Sequence, residues 1–346
     1  MIAQHFRPLD RLAAVVATVL LAGGLCLTAC GDSGDDTASG DVATNTAVEE
    51  INNGGNADDA SGYPKTIEHA MGETVLDSQP QTVVALDRGV LDTSIAVGLQ
   101  VIGFTEIAGS DGIPDYFGED GDVYAKNAEL VGTLSEPNLE RIATLKPDLI
   151  LSAKVRHEEL YPQLSKIAPT VFTEKTGGTW KENLELTGRA TDRVEEAKEK
   201  LDEYEARAER IGDRVREKLG GNPTVSVVRF VDGPTRIYKE DTYIGVIMND
   251  LGFEKTETSA GTGFNIEISE EQIDLMDADH IFITTYADED GLSESIKEDF
   301  KANPLWEKLD GEIHEEQDGI WMSAVGLYGA NAVLDDVANA FGVEAS

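Results

Sequence analysis

The chain has 346 residues, with 28 Lys and Arg against 66 Asp and Glu, which gives a formal net charge of −38 at pH 7. That balance excludes nucleic acid as a partner, because phosphate binding needs dense Lys and Arg; an acidic surface instead keeps a protein soluble. The cysteines are Cys26 and Cys30 alone, which leaves little scope for disulfides or thiolate metal sites.

Arg7 and Arg11 precede an uncharged apolar run over residues 12–27, which ends in small residues. Residues 1–29 therefore read as a signal peptide. The alternative is a membrane-spanning helix, for which the run is barely long enough. The stretch "LTAC" at residues 27–30 resembles the lipobox of bacterial lipoproteins, whose cysteine is acylated and becomes the first mature residue. On that resemblance Cys30 carries lipid, the mature chain keeps no free thiol, and the protein is anchored at the extracytoplasmic face of the cell membrane. Between residues 31 and 62 there are eight acidic side chains and no basic ones, among Gly, Ser, Thr, Asn and Ala. Such a composition cannot bury enough apolar surface to offset its ordering entropy, so residues 30–62 read as a disordered acidic tether.

From residue 63 the chain is long enough for two lobes. "TVVAL" from Thr82 is a short apolar run suited to a strand covered on both faces. "NLERIATLKPDLIL" from Asn138 reads as a capped short helix followed by another such strand, and "TVF" from Thr170 adds a third. Residues 193–219 then place Val194, Ala197, Leu201, Tyr204, Ala208, Ile211, Val215 and Leu219 three or four apart, with nine acidic and eight basic residues on the other faces. This is a helix stripe; a small coiled coil is the alternative to a strut between lobes. "VSVVRF" from Val225 resumes the strand pattern. "SEEQIDLMDADHIF" from Ser269 echoes the segment from Asn138 at an offset of 131 residues, matching Asn138 with Ser269, Glu140 with Glu271 and Asp148 with Asp279. The expected class is α/β: a lobe at 63–192, a connecting helix at 193–219 and a lobe at 220–346, with mainly parallel sheets. A single stiff helix between lobes predicts that they move little when a ligand binds.

The stretches "VVALDRGVLDTSIAVGLQVIG" from Val83, "VGTLSEPNLERIATLKPDLIL" from Val131, "RHEELYPQLSKIAPTVF" from Arg156, "YIGVIMNDLGF" from Tyr243 and "NPLWEKL" from Asn303 resemble the substrate-binding lipoproteins of ABC importers. The branch is the ferric siderophore and cobalamin group, with its class III periplasmic-binding-protein fold. The resemblance implies a monomer that takes its ligand between two lobes and passes it to a membrane permease. The nearest rival ligands are haem and cobalamin; a siderophore-processing enzyme and a cell-surface sensor or adhesin are rivals of other classes. The enzyme has little support, since G-x-S-x-G elbow, P-loop, dinucleotide and zinc-helix motifs are absent from the sequence.

Four arginines are candidates for the ligand. Arg229 lies near the end of its strand, where a buried guanidinium needs an anionic or acceptor-rich partner. Arg156 follows "DLILSAK", Arg88 follows "TVVALD", and Arg236 opens "RIY". Each has the alternative of a salt bridge to one of the many carboxylates. A planar guanidinium fork suits the oxygens of a chelate that already saturates its iron, so the iron is not expected to be coordinated by the protein. In keeping with that, His5, His69, His157, His280 and His314 form no ligand spacing; no metal site and no cofactor are expected, and His157 reads as a surface residue. Trp321, Tyr286, Phe264 and Tyr238 are aromatic candidates for the pocket wall, with core packing as the alternative, while Trp180 and Trp306 read as structural. The resemblance further implies that Glu140 and Glu271 dock the permease; stabilising a helix N-terminus is the alternative.

Overall fold

A computed structural model describes residues 62–107 and 112–346. The expected leader of residues 1–29, the expected acylation at Cys30 and all of the expected tether except Gly62 lie outside the described residues. Among the described residues no helix is long and apolar enough to cross a membrane.

An antiparallel hairpin of β1 (Lys65–His69) and β2 (Gly72–Leu76) leads into the first sheet. That sheet contains β3 (Thr82–Ala85), β4 (Gln100–Phe104), β5 (Glu129–Leu130), β6 (Leu149–Ala153) and β7 (Thr170–Thr173), in the order β5-β4-β3-β6-β7 and parallel throughout. The chain between and after these strands forms α1 (Arg88–Ala96), α2 (Gly118–Tyr124), α3 (Leu139–Leu145), α4 (Lys154–His157), α5 (Tyr161–Leu164) and α6 (Trp180–Thr191). Every residue of β6 and β7 is buried, as a parallel strand covered on both faces requires.

The strut is α7 (Val194–Leu219), with Arg193 at its N-cap and Gly220 in the left-handed conformation at its end. Its stripe is buried from Ala197 to Val215, whereas Val194 and Leu219 are exposed, so the stripe is two residues shorter than its periodicity.

The second sheet is built from β8 (Thr224–Phe230), β9 (Thr235–Tyr238), β10 (Glu254–Lys255), β11 (Asn265–Ile268), β12 (His280–Thr285) and β13 (Glu312–Glu316). Its order is β11-β9-β8-β12-β13, with β10 beside β8. Here β10, β8, β12 and β13 pair in parallel, while β9 and β11 are antiparallel, because the tight turn after β8 returns the chain directly along its own edge. The helices of this lobe are α8 (Tyr243–Asp250), α9 (Leu292–Ala302) and α10 (Leu327–Phe341).

The repeated unit has a physical basis beyond its helix and strand. Asn138 accepts a hydrogen bond from the Arg141 amide at 3.0 Å and so caps α3. In the second copy Gln272 Oε1 accepts from the Ser269 amide at 3.2 Å, and Glu270–Met276 is a 3₁₀ helix rather than an α-helix. The two matched aspartates then do the same work. Asp148 accepts from the amide and the hydroxyl of Thr82 at the start of β3, at 2.9 and 2.8 Å. Asp279 accepts from the amide and the hydroxyl of Thr224 at the start of β8, both at 2.8 Å. Each threonine hydroxyl also faces the aspartate's own amide, at 3.2 and 2.9 Å, so each lobe has one reciprocal staple between neighbouring central strands.

The lobes share one core. A central apolar cluster runs from Val83 and Leu91 in the first lobe through Tyr204 and Ile211 of α7 to Phe282 and Phe341 in the second. Two further clusters cover the outer faces, one around Ile142 and Phe172 and the other around Phe230 and Ile281. Two polar contacts reinforce the junction. Asp92, buried in α1, accepts from the amides of Leu327 and Tyr328 at the start of α10, at 2.6 and 3.1 Å. Gly178 lies so close to the other lobe that a Cβ there would stand 2.0 Å from the Asp241 carbonyl oxygen.

Candidate functional site

A cavity of about 770 Å³ opens between the lobes. Its first-lobe wall is formed by the segments that follow β3, β4, β6 and β7, and Arg229 near the end of β8 contributes from the second lobe. Ligand sites of α/β sheets lie beyond the carboxyl ends of the strands for this topological reason, and the volume suits a drug-sized ligand. A wider depression of about 910 Å³ follows the outer side of α7, bordered mostly by long charged side chains. The inter-lobe cavity has the stronger claim, because apolar wall and convergent polar groups coincide there.

That cavity departs from the acidic balance of the chain. Arg88, Arg156, Lys175 and Arg229 border it against Asp87, Glu106 and Asp241, and with Asp318 bound to Arg229 the local charges balance, in a protein whose formal total is −38.

Arg229 is held on three sides. Its Nε and Nη2 donate to the two carboxylate oxygens of Asp318 at 2.6 and 2.7 Å, and Nη1 lies 3.4 Å from the Tyr238 hydroxyl. Tyr286 covers its plane at 5.3 Å. Burial works against the guanidinium charge, but hydrogen bonding and charge from Asp318 more than offset it, and the pKa is raised. The partner demanded by a strand-end arginine is thus supplied by the protein's own Asp318, while the side chain still borders the cavity. Thr284 donates to the same carboxylate at 3.2 Å.

Arg156, in α4, is half-exposed and donates through Nε to Asp87 at 3.2 Å. Among the described residues its hydrogen bonds use that atom alone. Asp87 also caps α1, accepting from the Gly89 amide at 2.8 Å. Arg88 begins α1 on the cavity wall. Burial lowers its pKa, while Tyr116, Asp87 and Asp318 pull the other way, so Asp318 acts on cations of both lobes. Arg236 does not reach the cavity wall. It lies opposite Arg229 in the β8/β9 ladder, and its Nε is buried without a hydrogen-bond partner among the described residues.

Phe264, exposed on 63 % of its surface, and the buried Tyr238 border the cavity and pack edge to face at 5.3 Å. Tyr286 is outside the cavity lining and reaches it only through Arg229. Trp321 backs the wall but is wholly buried; it stacks on Phe282 at 4.8 Å and donates to Asp336 at 3.0 Å, so its ring presents no surface to a ligand. Trp180 is a core residue, edge to face with Tyr204 at 5.0 Å, and Trp306 packs at the rim of the outer cluster of the second lobe. Glu140 and Glu271 are both exposed in the first turns of their helices.

One expectation for histidine is corrected. His157 is buried rather than superficial: its Nε2 donates to the Leu134 carbonyl at 2.6 Å, which leaves Nδ1 to accept from the Ser152 hydroxyl at 2.6 Å. Burial lowers its pKa. Ser152 is itself wholly buried, so this Ser–His pair offers no nucleophile to a substrate. His280 and His314, far apart in the chain, come together with Glu312 on adjacent strands, their side-chain nitrogen and oxygen atoms within 4.8 Å of one another.

Residues missing from the reading of the sequence are Asp318, Asp87, Lys175 and the aromatic Tyr243 on the cavity floor. Lys175 is exposed on the wall just after β7, and its ammonium has no ion-pair partner among the described residues. Position beyond a strand end was the available signal for Asp87 and Lys175; Asp318 follows β13 but gains its role only through folding.

The sequence profile described as periplasmic binding protein matches residues 83–311. A Bacillus subtilis protein named "Probable siderophore-binding lipoprotein YfiY" is 35 % identical over 86 % of this chain and 93 % of its own length. The achromobactin-binding periplasmic protein of Dickeya dadantii is 29 % identical over 76 % of this chain and 87 % of its own. Among solved structures, Staphylococcus aureus SirA complexed with staphyloferrin B superposes with a TM-score of 0.73 at 31 % identity, covering 82 % of this chain and all of that one.

Proposed function

Given that the chain belongs to the periplasmic binding protein family, we propose that it captures a ferric siderophore in the inter-lobe cavity and delivers it to an ABC importer. The observation that carries this reading is a local gathering of cations: a cavity at the carboxyl ends of the strands collects four cationic side chains in a strongly acidic protein. An anionic, oxygen-rich chelate with its iron already enclosed is the cargo that this arrangement suits. Arg156 and Lys175 carry hydrogen-bonding capacity that no neighbouring carboxylate consumes, so they are the foremost ligand contacts, with Arg88 beside them. Arg229 serves as a braced cation whose Nη1 and face, not its full fork, meet the guest. Phe264 and Tyr238 supply apolar contact.

Binding is not followed by turnover. The protein acts as a monomer tethered to the membrane through lipid on Cys30, and Glu140 and Glu271, one exposed on each lobe, engage the permease. Trp321 directly behind the wall makes tryptophan fluorescence a reporter. Titration with ferric catecholate, hydroxamate and carboxylate chelates should give a saturable change with at least one class and none with haem or cobalamin. Arg156→Ala with Lys175→Ala should weaken that response by at least about tenfold, the equivalent of about 1.4 kcal/mol. Silence with all three ferric classes rejects the reading.

A further inference from the structure

Away from the cavity, at the opposite end of the second sheet, parallel pairing of β12 with β13 sets His280 opposite Glu312 and Phe282 opposite His314. Residues two apart share a strand face, so His280, Glu312 and His314 lie on one side of the sheet. Their ligand atoms all fall within 4.8 Å of one another. His280 Nδ1 is 3.0 Å from His314 Nε2 and 4.0 Å from a carboxylate oxygen of Glu312. Two nitrogens that close must share one proton, with a lone pair of one ring aimed at the other.

The rings are held by apolar packing. Phe341 of α10 lies 4.3 Å from His280, and Phe282 stacks on His314 at 4.7 Å. Burial lowers the pKa of both histidines, which favours the neutral imidazole that can act as a ligand. Ligands of a tetrahedral zinc ion at about 2.0–2.2 Å from the metal stand roughly 3.3–3.5 Å apart. The observed separations of 3.0 Å between the ring nitrogens and 4.0 Å to the exposed carboxylate bracket that spacing.

We propose that His280, His314 and Glu312 form a binding site for a divalent transition-metal ion of the zinc type, with water completing the tetrahedron. The ion would replace the proton between the imidazoles and join the first residues of two neighbouring strands. It lies some 15–20 Å along β12 from the ligand cavity, the length of a six-residue strand, and is independent of the cargo iron.

The test uses the metal-stripped full chain produced without export, so that it stays unprocessed, with Cys26 and Cys30 alkylated, titrated calorimetrically with Zn²⁺ and spectroscopically with Co²⁺. One equivalent should bind, with the visible absorption of tetrahedral Co²⁺ and a Zn²⁺-dependent rise in Tm. His280→Ala and His314→Ala should abolish this. Should either histidine variant fail to fold, Glu312→Gln still decides, because its side chain is 68 % exposed. That substitution should weaken Zn²⁺ by at least about tenfold. Absence of stoichiometric binding in the parent overturns the proposal. So does an unchanged affinity in Glu312→Gln, the result that diffuse uptake by an acidic surface would give.

Discussion

Arg229 and Asp318 are joined by two short hydrogen bonds in a largely buried setting, so neither can be altered alone without leaving a charge unpaired. Loss of one partner of a buried pair costs about 3–5 kcal/mol. Arg229→Gln is therefore expected to lower the unfolding free energy by an amount in that range, and Arg229→Gln with Asp318→Asn should recover most of it in urea titrations. Additive losses in the double variant would show that the pair is not coupled. Asp92 has a different signature, because burial pushes its pKa up to about 7 although two α10 amides donate to it. A carboxyl with a raised folded pKa binds more protons in the folded state; its contribution is fully present below about pH 4 and is lost as pH rises through 7. His157, lowered by burial, has the opposite sign and loses its contribution as pH falls through the ordinary histidine range. Asp92→Asn should accordingly gain relative to the parent as pH is raised from about 5 to about 8. Parallel urea midpoints across that interval would contradict the assignment. At this scale the sequence revealed Arg229, since an arginine in an apolar strand is conspicuous. Asp318 was hidden, because its partner lies 89 residues away and no local pattern marks it.

Between residue and molecule stands the repeated element, a capped turn, a strand and the aspartate that joins them. Asp148 and Asp279 each bind the opening threonine of the strand alongside, in one lobe and in the other. Asp148→Ala and Asp279→Ala should each cost about 1–3 kcal/mol and by similar amounts, as measured by chemical denaturation. A large effect for one and none for the other would break the structural equivalence. The bond from Thr224 holds Asp279 below its usual pKa, so its contribution is present above the ordinary aspartate range and fades in acid. The helix-and-strand echo was legible because both periods lie within fourteen consecutive residues. Thr82 and Thr224 were not, since they precede their aspartates by 66 and 55 residues. The antiparallel edge of the second sheet was missed for a related reason: a buried run such as "VSVVRF" shows that a strand exists, but not the direction of its neighbours. The zinc-type cluster depends on that same long-range pairing.

For the molecule as a whole, the acidic surface and the cations of the cavity oppose each other at different ranges. With a formal charge of −38, the protein should repel an anionic chelate at distance, while Arg156, Lys175 and Arg88, the proposed contacts on the cavity wall, should attract it at close range. Screening shortens the reach of the first effect, from about 30 Å at 0.01 M salt to about 8 Å at 0.15 M. The association rate of an anionic ferric chelate should therefore rise with salt over that interval in stopped-flow fluorescence. A falling rate would mean that the cavity's field dominates approach. Two lobes and the strut were readable from the order of apolar runs; the shared interior was not, because it depends on α10 packing back against α1 through Asp92.

That common interior, together with the backbone contact at Gly178, ties the two lobes to each other beside the opening. The expected outcome is a pair of lobes that keep their spacing whether the cavity is filled or empty. The outward difference between a loaded and an empty carrier is then the cargo itself, so whatever accepts the delivery has to sense what protrudes, not a change in the posture of the courier.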